Sequence, residues 1–177
     1  MRPRAARDRQ RTAESLAPLR GRVCVKTHAY DIVVTWPAHP GEATANYRSY
    51  RRDHTIERDG KPAIPASSDP AFRGDSSRYN PEELLVASLS SCHMLWFLHL
   101  CAVNGVTVLG YRDEASGLME EHPDGGGAIV GVTLHPRVTL APQSDAEKAN
   151  ALHHEAHRLC FIARSVNFPV EIEPAIS

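Results

Sequence analysis

The sequence predicts an α+β fold in which antiparallel sheets wrap around long helices. Three observations carry this. Segments with strand composition come in groups and do not alternate strictly with helices. Residues 84–103 contain no charged side chain and follow a strong helix start at Asn80. A second helix start, Ser144-Asp-Ala-Glu147, lies near the C-terminus. The resulting order of strands, helix, strands, helix and strand belongs to an α+β domain and not to a repeating βαβ sheet.

His28 to Trp36 is alternating and β-branched through Ile32-Val-Val-Thr35, and Pro37 stops it, so it reads as a strand. Thr44 to Arg58 reads as a second extended segment, polar enough for an edge or a dimer-facing hairpin. Asp59-Gly60 is hairpin chemistry, with Lys61 to Ala66 returning, and residues 67–79 form a long loop. The first helix opens at Asn80: Asn caps, Pro81 suits the first helical position, and Glu83 completes a capping box. Asn104-Gly105 ends it. A helix apolar on nearly all sides must be surrounded, and a second copy of the chain is a natural cover.

Val106 to Met119 and Ala128 to Leu140 read as two strands about the Asp124-Gly-Gly-Gly127 turn. The second helix starts at Ser144, with Ala149, Leu152, Ala156, Leu159, Cys160 and Ala163 as its apolar stripe, and Val166 to Ile172 is the last strand. The glycine run is not a phosphate loop, because no Lys-Ser/Thr follows it.

The 177 residues suffice for one domain with a core of its own, or for one protomer of a dimer. A net charge of −1 gives no bias toward nucleic acid or acidic membranes. Residues 1–22 hold seven arginines and read as a basic, disordered arm, leaving residues 23–177 as a single domain. No apolar secretory core follows the arm, so a reducing cytoplasm is the expected compartment. The uncharged stretch 84–103 is long enough to span a bilayer, but Ser88, Ser90, Ser91 and His93 interrupt it and no Lys/Arg cluster flanks it. It reads as the buried helix of a soluble protein.

Four cysteines do not make a disulfide framework, and in a reducing compartment a pair of them points to redox or metal chemistry. Cys101 lies nine residues after Cys92, half a helical turn round, so those two face opposite sides and Cys101 reads as core. Cys24 receives no role. Cys92 sits deep in the first helix, beyond useful reach of the helix dipole, so a thiolate there needs a cation from elsewhere. The candidates are the arginines of residues 48–52, or Arg73 and Arg78; His93 points to a different face. Cys160 faces whatever the second helix packs on.

The segment Asn80-Pro-Glu-Glu-Leu-Leu-Val-Ala-Ser-Leu-Ser-Ser-Cys92, followed by Arg158-Leu-Cys160 and a strand ending Val-Glu-Ile-Glu, resembles the OsmC/Ohr family, in particular its broader OsmC-like branch. The resemblance covers residues 28–175 in element order. It implies an intertwined homodimer with long central helices and two active sites at the subunit interface. It implies thiol-dependent reduction of organic hydroperoxides, an external dithiol as reductant and no cofactor. Carried onto this chain, it implies Cys92 as peroxidatic thiol, Cys160 as resolving thiol and Glu82 as the site glutamate. The family also places an arginine near the start of the second strand. Here that region reads Ala38-His-Pro-Gly-Glu42, which leaves Arg48, Arg51 or Arg52 to substitute. Leu89, Leu95, Trp96 and Phe97 would give the substrate tail an apolar wall.

Two rivals compete with this reading. His153, His157 and Cys160 recur at i, i+4 and i+7, a spacing able to place zinc ligands on one helix face; the bland alternative is solvated histidines. The other rival is an OsmC-like protein without peroxidase activity, serving in binding or sensing.

Overall fold

The computed structural model describes residues 25–37 and 43–177. The basic arm, Cys24 and the whole of Ala38–Glu42 therefore lie outside the described residues. Residues 32–177 form one compact unit, while the described residues 25–31 belong to a separate one and carry no regular secondary structure.

The unit opens with an antiparallel meander, β1 (Val33–Thr35), β2 (His54–Glu57) and β3 (Ile64–Ala66). Gly60 closes the β2–β3 turn at φ +73°, a conformation that favours glycine. Thr44 to Asp53, expected as strand, is instead bends and turns through Tyr50 and irregular backbone after it. Its polar side chains bond to nearby backbone: Ser49 Oγ donates to the Ala43 carbonyl at 2.6 Å, and Arg52 donates to the Tyr50 and Tyr47 carbonyls. Local bonding of this kind competes with ladder formation.

After the loop, α1 (Pro81–Val103) runs unbroken past Ser90-Ser91. Both halves of its capping box form. The Glu83 N–H donates to Asn80 Oδ1 at 2.7 Å, and the Asn80 N–H donates to Glu83 Oε2 at 3.1 Å. Within this chain α1 buries one stripe, Leu89, His93, Phe97 and Cys101, spaced four residues apart along one face. By length and composition α1 could cross a membrane, yet little of it is buried here.

The two strands expected on either side of the glycine turn are four: β4 (Val108–Asp113), β5 (Ser116–Glu121), β6 (Gly127–Leu134) and β7 (Pro136–Leu140). Each expected strand breaks at a corner, at Glu114-Ala115 and at His135. Asp113 holds both corners: its Oδ1 accepts from the His135 N–H at 2.7 Å, and its Oδ2 accepts from Ser90 Oγ of α1 at 2.5 Å. β5 pairs antiparallel with β6, and β4 with β7. The C-terminus adds β8 (Val170–Ile172) parallel to β6, and a further strand, β9 (Ala175–Ile176), parallel to β7. The sheets are thus mixed, not purely antiparallel.

Between β7 and β8, α2 (Ala146–Leu159) packs on α1. Its cap is Asp145, whose Oδ1 accepts from the Lys148 N–H at 2.9 Å. Ser144, the expected cap, instead uses its hydroxyl to bond the backbone of Thr107. The core lies between α1, α2 and the sheets. Phe97, Cys101, Ala149 and Ala156 pack with Val138 and Leu140; Leu89 packs with Val132 and Leu134.

Candidate active site

The two helices meet along matching stripes, Leu89-His93-Phe97-Cys101 on α1 and Ala149-His153-Ala156 on α2. They run antiparallel. Phe97 stacks on His153 with ring centroids 3.9 Å apart, while Leu89, two turns earlier, packs with Ile162 and Ala163 beyond the end of α2. This geometry carries the end of α2 to Cys92. Cys160 is not on the helical stripe but is its C-cap, with extended backbone (φ −62°, ψ 112°). The following turn brings the Ala163 N–H to Cys160 Sγ at 3.4 Å.

There the two thiols meet. Cys92 is half-buried, Cys160 is buried, both are free, and the Cys92 thiol lies near enough to the Cys160 thiol to influence its protonation. Burial pushes the Cys160 thiol up to about 11; Cys92 adds to the rise, and the Ala163 N–H opposes it. Cys160 is therefore a protonated thiol at neutral pH. Cys101, one stripe position beyond Phe97, is core as expected, and burial raises it to about 11 as well.

The remaining predicted residues do not join this pair within one chain. Glu82 lies ten residues before Cys92 on a straight helix, about 15 Å along its axis. Its Oε2 is buried without a hydrogen-bond partner. It lines an open groove of about 790 Å³ beside α1, with Val86, Ser90 and Met94 from the helix and Tyr111 and Asp113 from β4. Arg48 and Arg51 are exposed in the irregular segment before β2. Arg52 lies 4.6 Å over the Tyr47 ring and 4.0 Å over the Tyr50 ring while donating to both residues' carbonyls. Arg78 pairs with Asp75 and Asp53. Of the apolar wall, Leu89 and Phe97 point into the helix seam. Leu95 and Trp96 share the face of Cys92, at i+3 and i+4, and Trp96 meets Phe161, the neighbour of Cys160, edge to face at 5.5 Å.

The zinc arrangement does not form: among the described residues no group of three His, Cys, Asp or Glu side chains is placed to hold a metal ion. His153 is not solvated either. It turns inward, and its Nδ1 lies 3.0 Å from His93 Nε2, with both side chains almost wholly buried. Burial, followed by the nearby His157, lowers His93 to about 4, while Asp113 opposes the shift. Burial, followed by His93 and His154, lowers His153 to about 3. Both are neutral at pH 7, so one donates to the other. His93 Nδ1 and His153 Nε2 are left buried without partners, each at a cost of about 1–3 kcal/mol. The sequence reading placed His93 on a different face from Cys92, as found, but gave it no partner. The signal it missed is the four-residue spacing Leu89-His93-Phe97-Cys101, matched by Ala149-His153-Ala156.

A small α+β unit with two free thiols meeting where one long capped helix receives the end of another defines the OsmC-like class. The chain belongs to that family: residues 74–175 match the family model described as OsmC-like protein. Among solved structures it is similar to an OsmC-like protein of unknown function from Vibrio cholerae, with 36% identity over 84% of this chain and 100% of that one, and a TM-score of 0.77. An organic hydroperoxide resistance protein OsmC from Legionella pneumophila shares the fold at 20% identity and TM-score 0.60, covering 85% of this chain and 99% of that one. So does the organic hydroperoxide resistance protein OhrB of Bacillus subtilis, at 21% identity and TM-score 0.55 over 84% and 98%. No curated protein matches the sequence.

Proposed function

We propose that this protein is a thiol-dependent peroxidase that reduces organic hydroperoxides through a Cys92/Cys160 dithiol–disulfide cycle in a reducing compartment such as the cytoplasm. The observation that carries the reading is the meeting of two free thiols, distant in sequence, at the end of the α1–α2 seam. Cys92, the more exposed, attacks the terminal peroxide oxygen. The O–O bond breaks, Cys92 becomes a sulfenic acid, and the departing alkoxide takes up a proton to leave as alcohol. The Cys160 thiol then attacks the sulfenic sulfur; its proton and the sulfenic hydroxyl leave as water, and a disulfide closes. An external dithiol restores both thiols by exchange and is itself oxidised to a disulfide. Burial keeps Cys160 protonated, so the first attack falls to Cys92. Leu95, Trp96 and Phe161 offer an apolar surface to the substrate tail.

The working unit in this proposal is a homodimer. Glu82 and Cys92 of one chain stand too far apart to share a site, whereas a second copy can bring its Glu82 to this Cys92. The partnerless Glu82 oxygen, the exposed side chains Leu95, Val33 and Val34, and a β1–β3 meander with little packing against the helices all support such a cover. Arg48 or Arg51 supplies the cation that stabilises the Cys92 thiolate, held in place by Glu82. The test is consumption of cumene hydroperoxide with dihydrolipoamide or thioredoxin as reductant. Wild type should turn over, and Cys92→Ser should not; equal turnover by the two ends the assignment.

A second reading, a binding or sensing protein without peroxidase turnover, is favoured by one observation: Arg52 is already engaged by its own loop. Under it, the disulfide would form slowly with peroxide, and no reductant would give multiple turnovers in the same assay.

A further inference from the structure

The thiols are not the only polar groups on the seam between the helices. Apart from the His layer, the buried positions of the α1 and α2 stripes are Leu89, Phe97 and Cys101 against Ala149 and Ala156. Into this apolar seam the sequence inserts one polar layer, His93 against His153. Among the described residues their contact is the one side-chain hydrogen bond joining the bodies of α1 and α2. It is directional, with nitrogens 3.0 Å apart and rings 9° from parallel, and His153 is fixed on its other side by the Phe97 stack. A seam of small and apolar side chains accepts several sliding registers at similar packing. A single buried hydrogen-bonded layer accepts one, because every other register leaves both imidazoles unpaired. The layer is also costly, since each ring keeps one buried nitrogen without a partner.

The register matters at the end of the seam. Cys92 directly precedes His93, and Cys160 lies two helical turns after His153. One turn of slippage would displace Cys160 by about 5 Å, beyond what a disulfide tolerates. We propose that His93 and His153 are positioning residues: their hydrogen bond pins α2 in the one register that sets Cys160 against Cys92. This rests on the thiol pair of the cycle proposed above but not on its peroxide chemistry.

The test is the equilibrium of the Cys92–Cys160 disulfide in glutathione buffers. There the two protein thiols give two electrons and two protons to glutathione disulfide, which becomes two glutathione thiols. Three forms of the full chain are compared, with thermal unfolding followed in parallel. In His93→Leu/His153→Leu the layer becomes apolar, and unfolding should occur at or above the wild-type temperature. Its disulfide equilibrium constant should nevertheless fall at least tenfold, a potential about 30 mV more oxidising. In His93→Gln/His153→Asn, whose amides occupy the positions of the bonded nitrogens, the constant should stay within threefold of wild type. A leucine pair that folds and closes its disulfide as readily as wild type overturns the proposal. Should the leucine pair not fold, His93→Gln/His153→Asn against His93→Gln/His153→Leu isolates the bond on one background. A tenfold difference there supports the pin, and equality overturns it. None of these measurements uses peroxide, so a failed pin and a failed peroxidase give different results.

Discussion

Two faces of α1 differ sharply. The face toward α2 is filled by this chain: Leu89, His93, Phe97 and Cys101 are all within 1% of complete burial. The face bearing Leu95 remains 62% exposed at that residue, and Val103 is 63% exposed, although both faces are similarly apolar. The inward stripe is a folding surface, completed in every chain. Under the homodimer proposal the outward one is an association surface, completed only by a second copy. The thiol pair lies at the border: Cys160 is buried and Cys92 half-buried.

The largest effect that should separate the faces is on stability. Phe97→Ala leaves a cavity against His153 and Tyr111 and should cost about 3–5 kcal/mol in urea unfolding. At protein concentrations low enough to keep the chain monomeric, Leu95→Ala should cost less than about 0.5 kcal/mol. Comparable losses would remove the distinction. The outward face is tested more directly by Leu95→Glu, which should shift the sedimenting species from dimer to monomer at micromolar concentration. A monomeric wild type would break the comparison.

The inward face should also respond to acid through its histidines. Burial holds His93 and His153 below their ordinary pKa of 6.5, at about 4 and about 3, so the unfolded chain binds protons that the folded chain refuses. Their neutral form stabilises the fold fully above pH 6.5, and the contribution is lost as pH falls from 6.5 toward 4 and 3. His157 and His154 reinforce the downward shifts and Asp113 opposes the one on His93, so the slope belongs to the group. Unfolding free energy should drop across that window, with a slope of at most roughly 1.4 kcal/mol per pH unit for each group. His93→Gln/His153→Asn should flatten the curve, and an unchanged slope would place the acid sensitivity elsewhere. The smallest effect is at the helix start shared by both faces. Asn80→Ala removes the oxygen that accepts the Glu83 N–H and should cost about 1 kcal/mol in the same unfolding assay.

How much of this was legible in the sequence depended on range. The α1 cap, its end at Asn104-Gly105 and the Asp59-Gly60 turn were readable, because each is decided by residues within three or four positions. The α2 cap was misplaced by one residue: Ser144 and Asp145 both cap well, and the choice was made by Thr107, which took the Ser144 hydroxyl. The two long strands became four because Asp113 bonds His135 and Ser90 across the fold, which no strand propensity records. Cys92 and Cys160 stood out as two thiols on separate predicted helices, but their separate roles and Glu82 came only through resemblance to a family. The same reading counted Cys160 among the helical apolar stripe, where the structure makes it the cap.

The sequence by itself determined the local elements, the long apolar helix and the presence of thiols on two separate segments, since capping, turn chemistry and hydropathy act between near neighbours. Only the tertiary structure decided that Cys160 faces Cys92, that His93 finds His153, and that one side of α1 is left uncovered. Those outcomes depend on how two helices settle against each other, and a side chain's partner across a seam is fixed by packing register, which no local pattern encodes.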